Sequence, residues 1–178
     1  RHEEPSLLAK LFSARDYHAI AYAPDGVTIA TATSVGLFLW NVPSGASRRL
    51  NVTQSLISTC AFSRDAQMLV STDFSSDVTI WDVHTGKAML AIPASADRLR
   101  DAALSPDGRM IATCGGSPAE LRRRDAPADN RVRLWERSTG KMLNVAEPHK
   151  DNTTALAYSP DGRFLAVGSR DCTASILE

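Results

Sequence analysis

Apolar residues fall in short runs along the whole chain, and no stretch holds a sustained helical period. The runs come in sets. One set lies at His18–Tyr22, Ser58–Phe62, Asp101–Leu104 and Thr154–Tyr158, each ending at a turn. A second set lies just past those turns, at Thr28–Thr31, Met68–Ser71, Met110–Thr113 and Phe164–Val167. A third lies at Leu37–Trp40, Val78–Trp81, Val132–Trp135 and Ala174–Leu177. More exposed segments around Leu50–Val52, Ala88–Ile92 and Met142–Val145 follow the first three of these. Short runs bounded by turn residues read as strands, so the pattern predicts an all-β chain.

The sets repeat in one register. Four turns recur: Ala23-Pro24-Asp25-Gly26, Ser63-Arg64-Asp65-Ala66, Ser105-Pro106-Asp107-Gly108 and Ser159-Pro160-Asp161-Gly162. Their Asp residues are spaced by 40, 42 and 54 positions. Trp40, Trp81, Trp135 and Leu177 follow the turn Asp at distances of 15, 16, 28 and 16, so the third unit carries an insertion of 12 residues. Gly45, Gly86 and Gly140 each lie five residues past a Trp, in Ser-Gly or Thr-Gly pairs. Pro presets φ, Asp caps its own turn and Gly accepts φ > 0, so Pro-Asp-Gly reads as a hairpin turn. Ala21, Ala61, Ala103 and Ala157 recur two residues ahead of the turns, each followed by a large residue. A small residue at one point of the innermost strand fits a place where neighbouring sheets converge. One four-stranded sheet cannot bury both of its faces alone; stacking repeats around an axis does.

Composition narrows the chemistry. The chain has 178 residues, 43% hydrophobic and 22% charged, which is globular composition. Its 20 Lys+Arg balance 20 Asp+Glu, which argues against a partner held mainly through phosphates, nucleic acid included. No apolar run is long enough for a membrane span. Residues 1–6 form a polar tail with no apolar signal stretch and no initiator Met, so a processed product or a piece of a longer chain is expected. Cys60, Cys114 and Cys172 are odd in number and lack Cys-x-x-Cys spacing. They read as small buried or semi-buried thiols in a reducing, cytoplasmic setting, with no zinc site and no disulfide framework. No Gly-rich phosphate loop, metal-ligand cluster or placed nucleophile is present, so no cofactor is expected.

These units resemble the WD40 repeat family. The matching stretches are Ser105–Ala112, Val78–Val83 and His149–Gly162. Only Trp81-Asp82 is a literal Trp-Asp; Trp40-Asn41, Trp135-Glu136 and Leu177-Glu178 stand at the other three positions. The resemblance implies β-propeller blades of four antiparallel strands. It also implies four repeats, at about 7–43, 44–84, 85–138 and 139–178. In the family a His, an Asp, a Ser and the Trp are joined by hydrogen bonds within a blade. The fourth unit matches with His149 and Asp171, truncated by Leu177. The third keeps Asp129 and Trp135, with Ser95 at the His position. Ser13 and Thr53 hold that position in the first two units, and Ser75 holds the Asp position in the second. A His beside an Asp also resembles half of a catalytic relay, but the repeat register explains the pair as a blade clamp. Trp40, Trp81 and Trp135 read as blade packing.

Two features stand outside the repeat. The inserted loop at 117–130 carries Arg122, Arg123 and Arg124, and reads either as a dock for an acidic or phosphorylated partner or as a solvated loop. Asn51-Val52-Thr53 and Asn152-Thr153-Thr154 have the form of glycosylation sequons and are read as coincidental. Leu7–Phe12 resembles an outer strand, and nothing follows Ala174–Glu178 to complete the last sheet. Three assemblies stay open: part of a larger propeller, two copies joined into an eight-bladed ring, or closure alone with four blades. The function expected is a non-catalytic scaffold for protein or peptide partners. The alternatives are a regulatory propeller of a larger signalling ATPase or kinase, and a ligand-binding or hydrolytic propeller.

Overall fold

The computed structural model describes residues 17–50, 56–94, 98–116 and 130–178. All regular structure among them is β-strand. Sheet 1 contains β1 (Tyr17–Tyr22), β2 (Thr28–Thr33), β3 (Gly36–Asn41) and β4 (Ser47–Arg49). Sheet 2 contains β5 (Ile57–Phe62), β6 (Met68–Asp73), β7 (Asp77–Asp82) and β8 (Ala88–Pro93). Sheet 3 contains β9 (Leu99–Leu104), β10 (Met110–Gly115), β11 (Val132–Glu136) and β12 (Met142–Ala146). Sheet 4 contains β13 (Thr153–Tyr158), β14 (Leu165–Ser169) and β15 (Ala174–Leu177), and is three-stranded among the described residues. Every pairing is antiparallel between consecutive strands, as in the blades of a β-propeller.

The turns between the first two strands of each sheet explain the recurrent Ser and Asp. Ser105 Oγ donates to Asp107 Oδ1 at 2.6 Å and accepts the Met110 N–H at 2.9 Å, while Asp107 Oδ1 accepts the Arg109 N–H at 3.0 Å. Sheets 2 and 4 repeat the pin with Ser63–Asp65 and Ser159–Asp161, both at 2.5 Å. Sheet 1 has Ala23 in place of Ser. There Asp25 accepts from the Val27 and Thr28 amides, and Thr28 Oγ1 donates to its other oxygen at 2.8 Å. The residue after each Trp caps the next turn. Asp82 Oδ1 accepts from the Thr85 amide and hydroxyl, Asn41 Oδ1 does the same for Ser44, and Glu136 accepts from the Thr139 hydroxyl. The literal Asp is therefore dispensable; an acceptor of suitable reach suffices.

Three apolar cores lie between successive sheets. Between sheets 1 and 2, Ala30, Leu39 and Leu50 meet Leu69 and Trp81. Between sheets 2 and 3, Val70 and Ile80 meet Ile111 and Trp135. Between sheets 3 and 4, Ala112 and Val132 meet Leu165 and Val167. The innermost strands follow the same order, β1 against β5, β5 against β9 and β9 against β13.

One strand departs from the sequence pattern. Among the described residues the outer strand of sheet 1 is Ser47–Arg49; of the expected segment around Leu50–Val52 only Leu50 is described, and it lies past the strand end. Trp40 pairs with Ser47, seven residues on, as Trp135 pairs with Met142. Leu50 sits past the strand end at 1% exposure, and its amide still donates to the Leu37 carbonyl. Its hydrophobicity marks a core contact between sheets, which attracts a strand assignment to the wrong residues. Cys60 and Cys114 are buried free thiols, but Cys172 is exposed, in a turn with φ 66°. Burial pushes the thiols of Cys60 and Cys114 up to about 12.

Candidate functional site

Antiparallel order sends the Asp-bearing turns to one end of every sheet and the β2–β3, β6–β7, β10–β11 and β14–β15 connections to the other. The connections between sheets reach that second end too, so it gathers the least repetitive residues. His149 and Asp171 meet there. His149 Nδ1 lies 3.2 Å from Asp171 Oδ2 and 2.9 Å from Thr173 Oγ1. Nε2 lies 3.2 Å from the Val167 carbonyl oxygen, which can only accept, so Nε2–H donates there. The His149 side chain is 1% exposed. The Lys150 amide donates to Asp171 Oδ2 at 3.0 Å, and the Thr173 hydroxyl donates to Oδ1 at 2.5 Å. His149 and Lys150 thus tie the β12–β13 connection to Asp171 and Thr173 of the β14–β15 turn, and an ionised Asp171 carboxylate accepts both the Lys150 amide and the Thr173 hydroxyl.

The Thr173 hydroxyl is the first cause that holds the Asp171 carboxyl well below the usual carboxylate range. The Lys150 and Thr173 amides and His149 add to it, against partial desolvation. A folded-state pKa below the unfolded one gives stability that is present above the unfolded value, about 3.9, and lost as pH falls below it. Melting temperature is therefore expected to fall between pH 5 and 3, both approximate bounds of that window. Asp171→Asn should flatten part of that fall; an unchanged slope would remove Asp171 from the clamp. Asp65, Asp107 and Asp161 are also held low by their Ser partners, so the slope shrinks without vanishing.

The other blade-network residues are distributed differently. Trp81 Nε1 donates to Ser71, Trp135 Nε1 to Thr113 and Trp40 Nε1 to Thr31, each at 2.9 Å. These bonds run between neighbouring strands of one sheet and orient the indoles. In sheet 4 both partners are apolar, since Val167 and Leu177 stand in the register of the Thr and the Trp. Asp129 and Arg122, Arg123 and Arg124 lie outside the described residues, as do Ser13, Thr53 and Ser95. Asn130, at the exit of the insertion, donates its side-chain amide to the His149 carbonyl. The insertion thus ends beside the clamp. Asn152 is buried at 1% exposure, which leaves no room for a glycan.

Two clusters have no counterpart in the sequence reading. His18 stands edge-on to Phe74 with ring centroids 5.8 Å apart, and the Arg98 guanidinium lies 4.0 Å over the same Phe74 ring. Three sheets contribute one residue each, at the end that carries the clamp. Aromatic and Arg side chains are the residue types that anchor protein interfaces. Asp101, on β9, is the second case. Its Oδ2 accepts the Leu156 N–H of sheet 4 at 2.9 Å, and Oδ1 accepts the Ala102 N–H and lies 3.4 Å from the Thr59 hydroxyl of sheet 2. Burial holds this carboxyl above its usual range, against those bonds. It joins three innermost strands, β5, β9 and β13. Among the described residues no three His, Cys, Asp or Glu side chains gather to hold a metal ion.

The WD domain, G-beta repeat family matches this chain at residues 47–82, 87–136 and 140–176. WD repeat and SOCS box-containing protein 1 of Homo sapiens is 30% identical over 132 residues, 72% of this chain and 28% of that protein. WD repeat-containing protein 3 of Homo sapiens is 24% identical over 173 residues, 91% of this chain and 17% of that protein. The chain thus spans 28% and 17% of the length of these two relatives. Among solved structures, the crystal structure of the computationally designed Ika4 protein is similar with a TM-score of 0.74 at 18% identity. That likeness covers 93% of this chain and 91% of that one, and it is a likeness of fold alone.

Proposed function

The chain belongs to the WD domain, G-beta repeat family, and on that premise we propose that it is a non-catalytic scaffold that receives a protein or peptide partner on the end bearing His149. The observation that carries this reading is the family match over three stretches of the chain. WD repeats serve generally as interaction scaffolds. The His18–Phe74–Arg98 stack supports the choice of end, since it places an aromatic anchor and a guanidinium together. The inserted arginines add an electrostatic preference for an acidic or phosphorylated segment. Buried free thiols at Cys60 and Cys114 support a reducing, cytoplasmic setting.

A second reading is favoured by the share of each relative that is covered. The chain matches repeat regions inside much longer proteins, so it also fits a regulatory propeller segment of a larger signalling protein. A hydrolytic propeller is less well supported, because Asp101 spends both carboxylate oxygens on neighbouring strands.

The test is binding to an array of acidic, phosphoserine and neutral peptides. The wild-type chain is expected to select the first two. Replacing Arg122, Arg123 and Arg124 together by Ala should weaken that binding by about tenfold or more, as loss of charge-assisted bonds requires. Unchanged binding by the triple variant would remove the arginines from the reading. Selection of neutral peptides would remove the charge preference.

A further inference from the structure

The turn end, opposite the clamp, holds a cavity of about 480 Å³ between sheets 1 and 2. The β1–β2 and β3–β4 turns line one side with the strand ends beside them, and the β5–β6 and β7–β8 turns line the other. Both walls are internal, since the same two sheets pack on each other through Leu39, Leu69 and Trp81. One position accounts for the space. The third residue past the turn Asp is Met68, Met110 or Phe164 in sheets 2 to 4, and Thr28 in sheet 1. The Met68 methyl lies 3.1 Å from the place of a Cβ on Gly108, so it reaches the turn of the next sheet. Thr28 lacks that reach, and its hydroxyl turns back to Asp25 at 2.8 Å. Ala66, the counterpart of Gly108, therefore borders the cavity together with Thr28.

The walls are apolar in part and anionic in part. Leu39, Ala66 and Val83 supply hydrocarbon, and Asp25 and Asp65 supply two carboxylates. Asp65 spends Oδ1 alone on its turn, accepting from the Ser63 hydroxyl and the Gln67 amide. Among the described residues neither carboxylate is in an ion pair. The arginines nearby are committed elsewhere. Arg48, in the wall, donates Nη1 to the His84 carbonyl at 2.9 Å and Nη2 to the Val83 carbonyl at 2.5 Å. It braces one side of the cavity to the other. Ser63 and the Gln67 amide act first on the Asp65 carboxylate, and Arg137 acts on it last, without a hydrogen bond. The Arg137 Nε donates to the Gly108 carbonyl instead. His84 completes the titratable groups of the wall.

We propose that this cavity receives one lysine or arginine side chain of a partner peptide segment, its stem against Leu39 and Val83 and its charged head at Asp25 and Asp65. A basic side chain is built of those two parts, an apolar stem and a cationic donor head, and the cavity offers a surface for each. The space that Met68 fills for sheets 2 and 3 is left between sheets 1 and 2 for a side chain from outside. The site lies at the far end from His149 and prefers the opposite charge to the inserted arginines. It is therefore a second site, and it stands whichever partner the clamp end receives.

NMR titration of the full chain with short Gly-Ser peptides tests it, each peptide carrying one central Lys, Arg, Glu or norleucine. The Lys and Arg peptides are expected to give saturable shifts at the Thr28, Ala66 and Val83 amides, and the Glu and norleucine peptides are not. Thr28→Met installs the residue of sheet 2 and should weaken Lys-peptide binding by about tenfold or more, with far-ultraviolet dichroism unchanged. Asp65→Asn keeps an Oδ1 acceptor for the Gln67 amide and should weaken binding by a like factor. It decides alone if Thr28→Met loses dichroism. Butylamine carries a Lys-like stem and charge without a peptide, and is expected to bind more weakly than the Lys peptide. No saturable shift at these amides overturns the proposal, and so does an equal response to the Glu or norleucine peptide. Unchanged affinity in both variants overturns the cavity as the seat. Butylamine binding as tightly as the Lys peptide overturns a peptide as the occupant.

Discussion

Trp81→Ala is expected to lower the unfolding free energy by about 3–5 kcal/mol, the range for deleting a large buried aromatic. Trp81 is 3% exposed and fills the core between sheets 1 and 2 against Leu39 and Leu50. A single domain of this size is typically stable by about 5–15 kcal/mol, so a large share of the margin rests on one indole. The melting temperature should drop by roughly 6–20 °C, at about 2–4 °C per kcal/mol for this chain length. Part of the loss comes from hydrogen bonding. Trp81→Phe keeps most of the ring volume but strands Ser71, which is 1% exposed and accepts from Nε1. That costs about 1–3 kcal/mol for a buried unpaired group. Adding Ser71→Ala to Trp81→Phe should recover part of it. Thermal melts of the three variants check the assignment, and no recovery in the double variant would place the loss in packing alone.

Asp101→Ala is expected to cost about 1–3 kcal/mol, because the Leu156 N–H is left without its acceptor at the junction of sheets 3 and 4. The pH dependence has a definite sign. Burial raises the folded-state pKa of Asp101, so the folded chain holds this proton more readily than the unfolded chain. Its contribution is then fullest below the unfolded value, about 3.9, and declines as pH rises through the folded one. The wild type thus gains relative to Asp101→Ala on acidification. Denaturant titrations at pH 7 and near pH 4, a value close to that unfolded pKa, should show the larger gap at the lower pH. A gap that shrinks there would mean the carboxylate is stabilised, not strained, by its setting. This sign opposes that of Asp171, although both residues accept backbone amides. Burial decides the difference.

The strand positions are legible because turn and Trp landmarks share one register. Ser58–Phe62 in the pattern becomes Ile57–Phe62 in the fold, and Val132–Trp135 becomes Val132–Glu136. The landmarks work because each has a local cause: Ser pins Asp, the Trp-following acceptor caps a Ser or Thr, and Gly takes φ near 70°. The outer strand of sheet 1 is not legible. Ser47–Arg49 is wholly exposed, so no apolar pattern marks it, and Leu50 draws attention to itself by filling a core. His149 and Asp171 lie 22 residues apart and can be paired from sequence because both belong to one unit. His18, Phe74 and Arg98 cannot, since three sheets bring them together and no spacing encodes it. Asp101 is hidden for the same reason. A single Asp in an inner strand looks solvated until the strands on both sides are in place.

The central structural claim is that Trp81 and Trp135 are buried between described sheets, whereas Trp40, at the same register position, is only half-buried. Trp40, Trp81 and Trp135 occupy one register position in three sheets, and each donates a 2.9 Å bond to a hydroxyl in its own sheet. Their far sides differ: Trp81 and Trp135 are buried in cores between neighbouring sheets, and among the described residues Trp40 is half-buried and joins none of these cores. The decisive measurement is urea unfolding of Trp40→Ala, Trp81→Ala and Trp135→Ala, at a dilution where light scattering reads the 19.2 kDa single chain. Losses of about 3–5 kcal/mol for Trp81 and Trp135, and less than about half of that for Trp40, are the predicted result. Three equal losses would contradict it, because Trp40 would then be packed as deeply as the two buried indoles.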